Sequence, residues 1–349
     1  MSTIGAVALT YADWAKRQGQ DGKQAEIIEL LAQTNDILND ALVIEANGAT
    51  GHVTTVRTGL PNATWRLLNY GVQPTKSTTA KITDGIGMLE TYSIVDKALA
   101  DLNGNSPEFR LSEDMAFLEG MSQQMASTMF YGNTAVNPER FTGLAPRYNS
   151  TNTATAQSAA NVISLAGTTS TCTSIWGVTW GPRTVHMIFP KGGMAGFRMK
   201  DKGDEQSVVL SDGSRYEAYT THFKWDNGLT LRDWRYVFRL CNIDVATLGG
   251  VSPPNLINAL IRGVHRWPTQ PRSVASEQTI GAPGGKQMGE MGRCALYANR
   301  TIRTYLDIQA VNKTNVLLNI TEWDGIPVTT FRGVPIRTCD ALLNTETAI

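Results

Sequence analysis

The sequence predicts an α+β fold, in which helical and strand-forming patterns occupy different stretches of the chain. Apolar residues recur at helical spacing over residues 23–45 and again over 107–131. Residues 176–245 instead contain short strand-forming segments, and the dipeptides Asp212-Gly213 and Asn227-Gly228 within them are strong hairpin signals. With 349 residues, the chain is long enough for two or three domains with a substantial core.

The N-terminal part is predicted to be a loose arm of about twenty residues followed by an amphipathic helix. The helix covers residues 23–45, and the Gly-containing break Asn47-Gly48 ends it. Its stripe consists of Ile27, Leu30, Leu31, Thr34, Ile37, Leu38, Ala41 and Leu42. A stripe of this kind is typical of a helix with one buried face.

Residues 52–92 differ from their neighbours, because they hold two extended Thr- and Val-bearing segments with few strongly hydrophobic positions. A tip from Gly71 to Ser77 separates the two segments. The pattern predicts a long two-stranded ribbon without a core of its own. Because an isolated ribbon is only marginally stable in water, it needs a support, and in an assembly a neighbouring subunit is the natural one.

The clearest helix is predicted over residues 107–131. Ser106-Pro107 is a favourable start for a helix, and Gly132-Asn133 ends it. One stripe along this helix consists of Leu111, Met115, Leu118, Met121, Met125 and Met129. Four methionines on one face are compatible with an adaptable binding surface. The buried face of a packed helix is the more common explanation, and we expect the stripe to be buried.

The second half of the chain mixes further strands, helices and loops. We predict helices over residues 255–266 and 291–309, separated by a Pro/Gly/Ser-rich loop over 267–289. Short strands are predicted near the C-terminus, around the turns Asp324-Gly325 and Arg332-Gly333.

Composition and charge argue against several classes of function. Lys plus Arg and Asp plus Glu number 31 each, so the net charge is zero, whereas proteins specialised for nucleic acid carry a basic excess. Zero net charge also removes the self-repulsion that keeps copies of a protein apart. No stretch approaches the roughly 18–20 apolar residues that span a bilayer, and the N-terminus shows no secretory leader. We therefore expect neither a membrane protein nor a specialised nucleic-acid binder.

No motif for catalysis, a cofactor or a metal stands out. The four cysteines and four histidines are scattered without metal-ligand spacing, and we expect the cysteines to be reduced thiols. Gly284-Gly285-Lys286 is not a phosphate-binding loop, because Ile280 and Gln287 stand where that loop needs Gly and Ser/Thr. Triad residues need only meet in space, so a hydrolase remains an alternative. We predict no enzyme activity, no cofactor and no metal.

Three local motifs, taken in order, resemble the major capsid proteins of tailed bacteriophages, whose fold is named for phage Hong Kong 97. Thr58-Gly59-Leu60-Pro61 with Trp65-Arg66 looks like the start of the extended loop of that family. The stretch 137–144, just after the long helix, holds a similar Gly-Leu turn. Residues 323–327 with 331–337 are similar to the closing strand pair of the family.

This resemblance covers most of the chain and implies a fold and a function. The implied parts are an N-terminal arm (1–51), an extended β-loop (52–92), a peripheral domain (93–150 and 310–349) with a long spine helix (107–131), and an axial domain with a β-rich insertion (151–309). The implied function is that of a major capsid protein, which forms the hexamers and pentamers of an icosahedral shell around double-stranded DNA. Another self-assembling virion protein, from a tail or a vertex, is the alternative.

The resemblance also implies where copies meet and what else they meet. The expected interface residues are Arg57 at the base of the loop, Trp65, Arg66, Leu67, Leu68 and Tyr70 within it, and Ile27, Leu31 and Leu38 in the arm. The chain reaches the spine helix by residue 107, so the long cleaved scaffold segment of some relatives does not fit, and a separate scaffolding protein is expected. A portal protein is a further implied partner, and a decoration protein is an optional one. Contact with packaged DNA is expected to be weak and non-specific, and the protein is expected in the virion after synthesis in the host bacterial cytoplasm.

Overall fold

The computed structural model describes residues 9–17, 31–102, 106–203, 206–209, 213–250, 253–268, 293–311, 318–323 and 326–349. The helices of this described part are α1 (Tyr11–Lys16), α2 (Ile37–Asp40), α3 (Lys97–Ala100), α4 (Ser106–Tyr131), α5 (Leu256–Val264) and α6 (Arg300–Val311). Its first seven strands are β1 (Val43–Glu45), β2 (Gly51–Gly59), β3 (Thr78–Asp96), β4 (Val162–Ser164), β5 (Cys172–Trp180), β6 (Val185–Phe189) and β7 (Phe197–Asp201). The others are β8 (Gln206–Val209), β9 (Arg215–Leu231), β10 (Val237–Asp244), β11 (Arg293–Ala298), β12 (Leu318–Trp323), β13 (Ile326–Phe331) and β14 (Val334–Thr338).

These strands join in one mixed sheet. Its main path follows the order β12-β13-β14-β11-β5-β6-β9-β3-β2. Strand β10 pairs with β5 and β4, β1 pairs with β6, and β7 and β8 pair with β9. Every residue of β5 is buried, so both faces of the sheet are covered at this strand.

Two apolar cores lie on opposite faces of β5. Trp176 and Trp180 face the first core, where the ring of Phe130 from α4 lies 6.2 Å from that of Trp176, centroid to centroid. Ile175 points to the second core and packs among apolar residues of β10, α5 and α6, including Ile302. The burial of these large side chains is the main source of stability of the subunit body.

Helix α4 confirms the helix predicted over residues 107–131, but the predicted stripe is buried only in its second half. Met121, Met125 and Met129 lie in the protein interior. Leu111 and Met115 are 60% and 61% exposed, so the prediction is wrong for them. The first half of α4 contacts β9 with a different face of the helix, which leaves this part of the stripe on the surface.

The helix predicted over residues 23–45 is wrong in its described part. Only the four residues of α2 are helical there, and strand β1 follows them. The backbone explains the change: Met187 N donates to Leu42 O at 2.7 Å, and Ala46 N donates to Phe189 O at 2.9 Å. Backbone groups that bond to the neighbouring strand β6 are not free for helical hydrogen bonds. Residues 18–30 lie outside the described part.

The helix predicted over residues 291–309 is also wrong in its first half, where β11 occupies the sheet between β5 and β14. All residues from Cys294 to Ala298 are buried. A short run of buried apolar residues fits a strand and a helix equally well, so its periodicity is not decisive. The helix begins only at Arg300, after Asn299, whose side chain accepts a hydrogen bond from Ile302 N at 2.9 Å.

Asn227-Gly228 is not a hairpin turn, because both residues lie inside the long strand β9. Gly228 pairs with Ile86 of β3 and with Ile188 of β6. A Cβ atom at this position would come within 2.5 Å of Gly85 O. The absence of a side chain at Gly228 therefore allows β9 to lie close to β3.

Other sequence predictions hold in the described residues. Helix α5 starts after Asn255, whose side chain accepts from Asn258 N. Arg332 and Gly333 adopt positive φ values of 51° and 80° and turn β13 into β14. The dipeptide Asp324-Gly325, residue Asp212 and nearly all of the loop predicted over 267–289 lie outside the described residues. No helix of the described part is long and apolar enough to cross a membrane.

Candidate subunit interface

Strands β2 and β3 form an antiparallel ribbon that leaves the body of the subunit. Their pairing runs from Gly51 opposite Gly85 to Gly59 opposite Thr78, where the register shifts. The remainder of β3, from Ile86 onward, pairs with β9 instead. The predicted excursion over residues 52–92 is therefore a free ribbon only in part, because its last residues belong to the main sheet.

The outer part of the ribbon, residues 60–77, has no strand structure and is closed by local hydrogen bonds. Thr75 Oγ1 donates to Asn62 O at 3.0 Å, and Tyr70 N donates to Leu67 O at 3.2 Å. Asn69, at the reversal between these last two residues, has a φ of 68°, a conformation that asparagine tolerates better than most residues. The chain therefore turns back on itself without a core.

The ribbon tip, which we define as residues 60–77, exposes an unusual amount of apolar surface. Every residue from 60 to 83 is exposed. The tip residues with large exposed apolar side chains are Leu60, Trp65, Leu67, Leu68, Tyr70 and Val72. A contiguous exposed apolar segment of this kind marks a contact surface rather than a free surface in water.

The ribbon is also strongly cationic. Between residues 53 and 83 the basic residues are Arg57, Arg66, Lys76 and Lys81, and there is no Asp or Glu. None of these four side chains forms an ion pair with a described residue. The apolar tip is therefore accompanied by uncompensated positive charge.

A buried ion pair fixes the base of the ribbon to the body. Asp84 pairs with His52 of β2, one position before the body end of the β2–β3 pairing, and is 4% exposed. Arg147 Nη2 donates to Asp84 Oδ1 at 2.8 Å, and also to Leu229 O at 3.0 Å and Thr142 O at 3.2 Å. One guanidinium group thus joins β3, β9 and the segment after α4, and charge-assisted bonds of this kind are strong.

Two histidines lie beside this ion pair. His52, directly opposite Asp84, accepts from Asn47 N at 3.2 Å, and Arg232 Nη2 lies 2.8 Å from its Nε2 atom. The ring of His186 meets that of His52 edge-on, at 5.8 Å between centroids. Burial, reinforced by Arg232, lowers the pKa of His52, while Asp84 acts in the opposite direction. Burial and then Arg232 lower the pKa of His186 to about 4, so the ring is neutral at pH 7.

The structure brings together six of the nine residues that the sequence singles out. Arg57 is exposed on β2, and Trp65, Arg66, Leu67, Leu68 and Tyr70 are all exposed in the ribbon tip. The arm residues differ from one another. Leu31 is exposed and its carbonyl oxygen accepts from Gln123 Nε2 at 2.7 Å, whereas Leu38 packs partly against the body core of its own chain. Ile27 lies outside the described residues.

Chemical groups for catalysis or metal binding do not cluster at this surface. Within the described residues, no group of three or more His, Cys, Asp or Glu side chains could hold a metal ion. Burial raises the pKa values of the Cys241 and Cys294 thiols to about 11, and that of Cys339 to about 12. What the ribbon offers is an apolar and cationic surface, which suits binding to another macromolecule.

Comparison with known proteins places this chain in a family. The family model of the major capsid protein GP7 matches residues 19–349. The chain belongs to the GP7 major capsid protein family. A chain in the near-atomic cryo-EM structure of bacteriophage Epsilon15 is 39% identical, with 100% of this chain and 99% of that chain covered and a TM-score of 0.73.

Other solved structures match this chain with lower sequence identity and lower TM-scores. A chain of the bacteriophage JBD30 capsid is 11% identical, with 95% of this chain and 99% of that chain covered and a TM-score of 0.47. A chain of Mycobacterium phage Adephagia is also 11% identical, with 65% and 92% covered and a TM-score of 0.41. Curated proteins give no match.

Membership of the GP7 family confirms the predicted fold class and function. The protein is a bacteriophage major capsid protein with the α+β capsid fold of the Hong Kong 97 type. It is a structural component of the virion and assembles into a multimeric shell. The candidate interface therefore belongs to a protein whose function is to bind copies of itself.

Proposed function

We propose that this protein forms the hexamers and pentamers of an icosahedral shell that encloses double-stranded DNA, and that it does so without catalytic activity. In this proposal the ribbon of each subunit lies on a neighbouring copy. The observation that carries it is the exposed apolar tip, since Trp65, Leu67, Leu68 and Tyr70 have no contact that shields them within their own chain. Burial of such residues is the usual source of affinity between subunits.

The predicted parts of the capsid fold give each region of the chain a role. Residues 1–51 act as the arm and 52–92 as the extended β-loop. Residues 93–150 and 310–349 form the peripheral domain, and 151–309 form the axial domain. The C-terminal segment contacts both domains of this division, because the Glu346 carboxylate accepts a hydrogen bond from Tyr131 at the end of α4 at 2.5 Å and one from Arg239 of the axial domain at 2.8 Å. Ile27 and Leu31 of the arm add to the contacts between copies, whereas Leu38 packs partly against the core of its own chain.

Assembly of such a shell and packaging of its DNA involve further partners. A separate scaffolding protein guides assembly, a portal protein occupies one vertex, and a decoration protein is an optional addition. Contact with packaged DNA is weak and non-specific, because the chain as a whole carries no basic excess. The subunits are made in the cytoplasm of the host bacterium before they enter the virion.

Electron microscopy of the expressed protein, with and without its neighbouring genes, tests this proposal. Closed icosahedral shells with both pentameric and hexameric units are the expected result. Tubes or rings would contradict it in favour of a tail or vertex component. Dispersed monomers that hydrolyse a substrate would contradict it in favour of an enzyme.

A further inference from the structure

A group of basic side chains lies where the end of α5 meets the turn between β13 and β14. The two segments are joined by a hydrogen bond, in which Arg332 Nη1 donates to His265 Nε2 at 2.7 Å. His265 and Arg266 follow Arg262 by three and four residues, so these three share one side of the helix end. All four side chains are exposed, and we call them the α5 patch: Arg262, His265, Arg266 and Arg332.

The positive charge of the α5 patch is not balanced by acidic groups. None of its arginines forms an ion pair with a described residue. The sequence around both segments explains this, because it contains no acidic residue between Asp244 and Glu277 and none between Asp324 and Asp340. The patch therefore concentrates uncompensated positive charge in a chain whose net charge is zero.

Stabilisation of the helix end does not account for the whole patch. Cations near a helix C-terminus can bond to its last carbonyl groups or offset its dipole. Here Ile261 O accepts from His265 N at 3.2 Å. Gly263 O accepts from Arg266 N at 2.9 Å, so the backbone already satisfies both carbonyl groups. Arg332 comes from a different segment of the chain, and the group to which it donates is a histidine ring and not a carboxylate.

The α5 patch also differs from the ribbon tip, because the large apolar side chains beside it are covered. Val264, Trp267 and Phe331 are all buried. Trp267 Nε1 donates to Tyr236 O at 3.1 Å, which fixes the end of α5 to the segment before β10. Contacts between subunits normally bury apolar side chains, whereas contacts with phosphate groups need only cations and other hydrogen-bond donors. Cations on a firmly packed base, without exposed apolar neighbours, therefore suit phosphate groups better than another protein surface.

We propose that the α5 patch binds the phosphate backbone of packaged double-stranded DNA. Each of its three arginines contacts a phosphate group, and His265 positions Arg332 by accepting its hydrogen bond. This inference rests on the proposed function, in which the shell encloses DNA, and adds the surface that contacts the DNA. A guanidinium group binds phosphate through two parallel hydrogen bonds and carries no information on base sequence. Three such contacts on each copy give weak binding without sequence preference.

Binding of a short fluorescein-labelled DNA duplex to unassembled subunits, measured by fluorescence anisotropy at several salt concentrations, tests the patch. The charge-removal variant carries R262Q, R266Q and R332Q. It is expected to lower the association constant at low salt by roughly tenfold or more. The slope of the logarithm of this constant against the logarithm of salt concentration is expected to fall by about 2–3, because each lost phosphate contact contributes about 0.9. A charge-keeping variant with R262K, R266K and R332K is expected to retain the slope and to bind within about fivefold of the wild type, because lysine still neutralises a phosphate group.

A matched control and a folding check accompany these variants. Lys191, Lys200 and Arg215 are exposed cations outside the patch, so K191Q with K200Q and R215Q changes the total charge equally. This control is expected to bind the duplex within about twofold of the wild type. Circular dichroism verifies that each variant is folded. Equal losses of affinity in the control and the charge-removal variant would overturn the proposal, because binding would then follow total charge, and so would an unchanged slope in the charge-removal variant.

Chemical labelling of assembled shells shows whether the patch contacts DNA there. Phenylglyoxal modifies accessible arginine side chains, and mass spectrometry measures the extent of reaction at each one. Arg262, Arg266 and Arg332 are expected to react several-fold more slowly in DNA-filled shells than in empty ones, whereas Arg215 is expected to react equally in both. Equal reactivity of the patch in both kinds of shell would refute the proposal.

Two further outcomes separate this inference from the proposed function. If the charge-removal variant binds the duplex normally but forms fewer closed shells, the patch is a contact between copies and the inference is wrong. The proposed function fails separately, if electron microscopy of the wild-type protein shows no closed shells.

Discussion

Trp176 and Trp65 show how differently two regions of this protein use the same residue type. Trp176 is fully buried between α4 and the sheet, while Trp65 is fully exposed at the ribbon tip. Burial of a tryptophan within its own chain stabilises the fold of the subunit. An exposed tryptophan contributes nothing to that fold and becomes useful only when another molecule covers it. Contacts within the body therefore stabilise the fold of the subunit, whereas the ribbon provides a surface for contacts between subunits.

The boundary between these regions is sharp because of the groups at the ribbon base. Asp84 and His52 are both at most 5% exposed, while every residue of β3 from Thr83 back toward the tip is exposed. The ion pair of Asp84 with Arg147 and the packing of His52 against His186 tie the last strand pairs to the body. Beyond Val53, which makes two hydrogen bonds with the Asn47 side chain, the two strands pair only with each other, and an isolated ribbon is only marginally stable.

The largest effect is expected when the tip is removed. Deletion of residues 62–80 should abolish closed shells, because the contact between copies is lost. The free energy of unfolding of the unassembled subunit should change by less than about 1 kcal/mol, because the deleted residues have no core contacts. Electron microscopy measures the first quantity and urea denaturation the second. Closed shells formed by the variant that lacks residues 62–80 would show that the ribbon tip is not needed for assembly.

A matched pair of substitutions sharpens the comparison. Trp176→Ala should lower the free energy of unfolding by about 3–5 kcal/mol, because it opens a cavity beside Phe130 and Tyr148. Trp65→Ala should change it by less than about 0.5 kcal/mol, because the side chain is in water. Urea denaturation of unassembled subunits compares the two variants, and equal losses would show that the tip also supports the fold.

The sequence predicted the parts of this division that depend on local patterns. The helix over 107–131, the ribbon over 52–92 and the turn at Arg332-Gly333 each follow from residues close together in the chain. The six ribbon residues of the candidate interface were expected from the resemblance to the capsid family, in which the extended loop contacts neighbouring copies. Four of them are apolar or aromatic, and Arg57 and Arg66 are basic. That they act as an interface stays a prediction.

What the sequence could not predict depends on distant contacts. The segment 293–298 became a strand because β5 and β14 lie on both sides of it. Leu111 and Met115 fit the same helical stripe as Met125, and only the position of the sheet decides which of them is covered. The pairing of Asp84 with Arg147 joins residues 63 positions apart, and no local pattern indicates it.

A third prediction concerns the polar part of the body core. Arg239 Nη2 donates to Glu346 Oε2 at 2.8 Å, both side chains are 5% exposed, and Tyr131 and Ser174 also donate to the carboxylate. Glu346→Gln should therefore lower the free energy of unfolding by about 3 kcal/mol, since it leaves a buried guanidinium without its counter-charge. Glu139→Gln, at an exposed carboxylate, is the control. Chemical denaturation that gives similar small losses for both would contradict a role of the buried pair in stability.

The smallest effect is expected from pH, at the point where body and ribbon meet. His52 and His186 are both buried and both have lowered pKa values, that of His186 being about 4. The groups that face them are Arg232 from the end of β9, Asp84 from β3 and, through Asp84, Arg147. Two of these three are cations, so a proton on either histidine adds repulsion that Asp84 only partly offsets.

Stability should therefore be full above pH 6.5, the ordinary pKa of an unfolded histidine, and should fall as the pH decreases toward 4. The reason is that the unfolded chain binds protons in this window while the buried rings do not. For His186 alone the expected loss between pH 7 and pH 5 is roughly 2 kcal/mol. His186→Leu should remove most of this slope in urea denaturation of unassembled subunits, whereas His265→Gln, at an exposed histidine, should keep it. If the slope is the same with and without His186, protonation of this ring does not destabilise the subunit at acid pH, and the prediction is wrong.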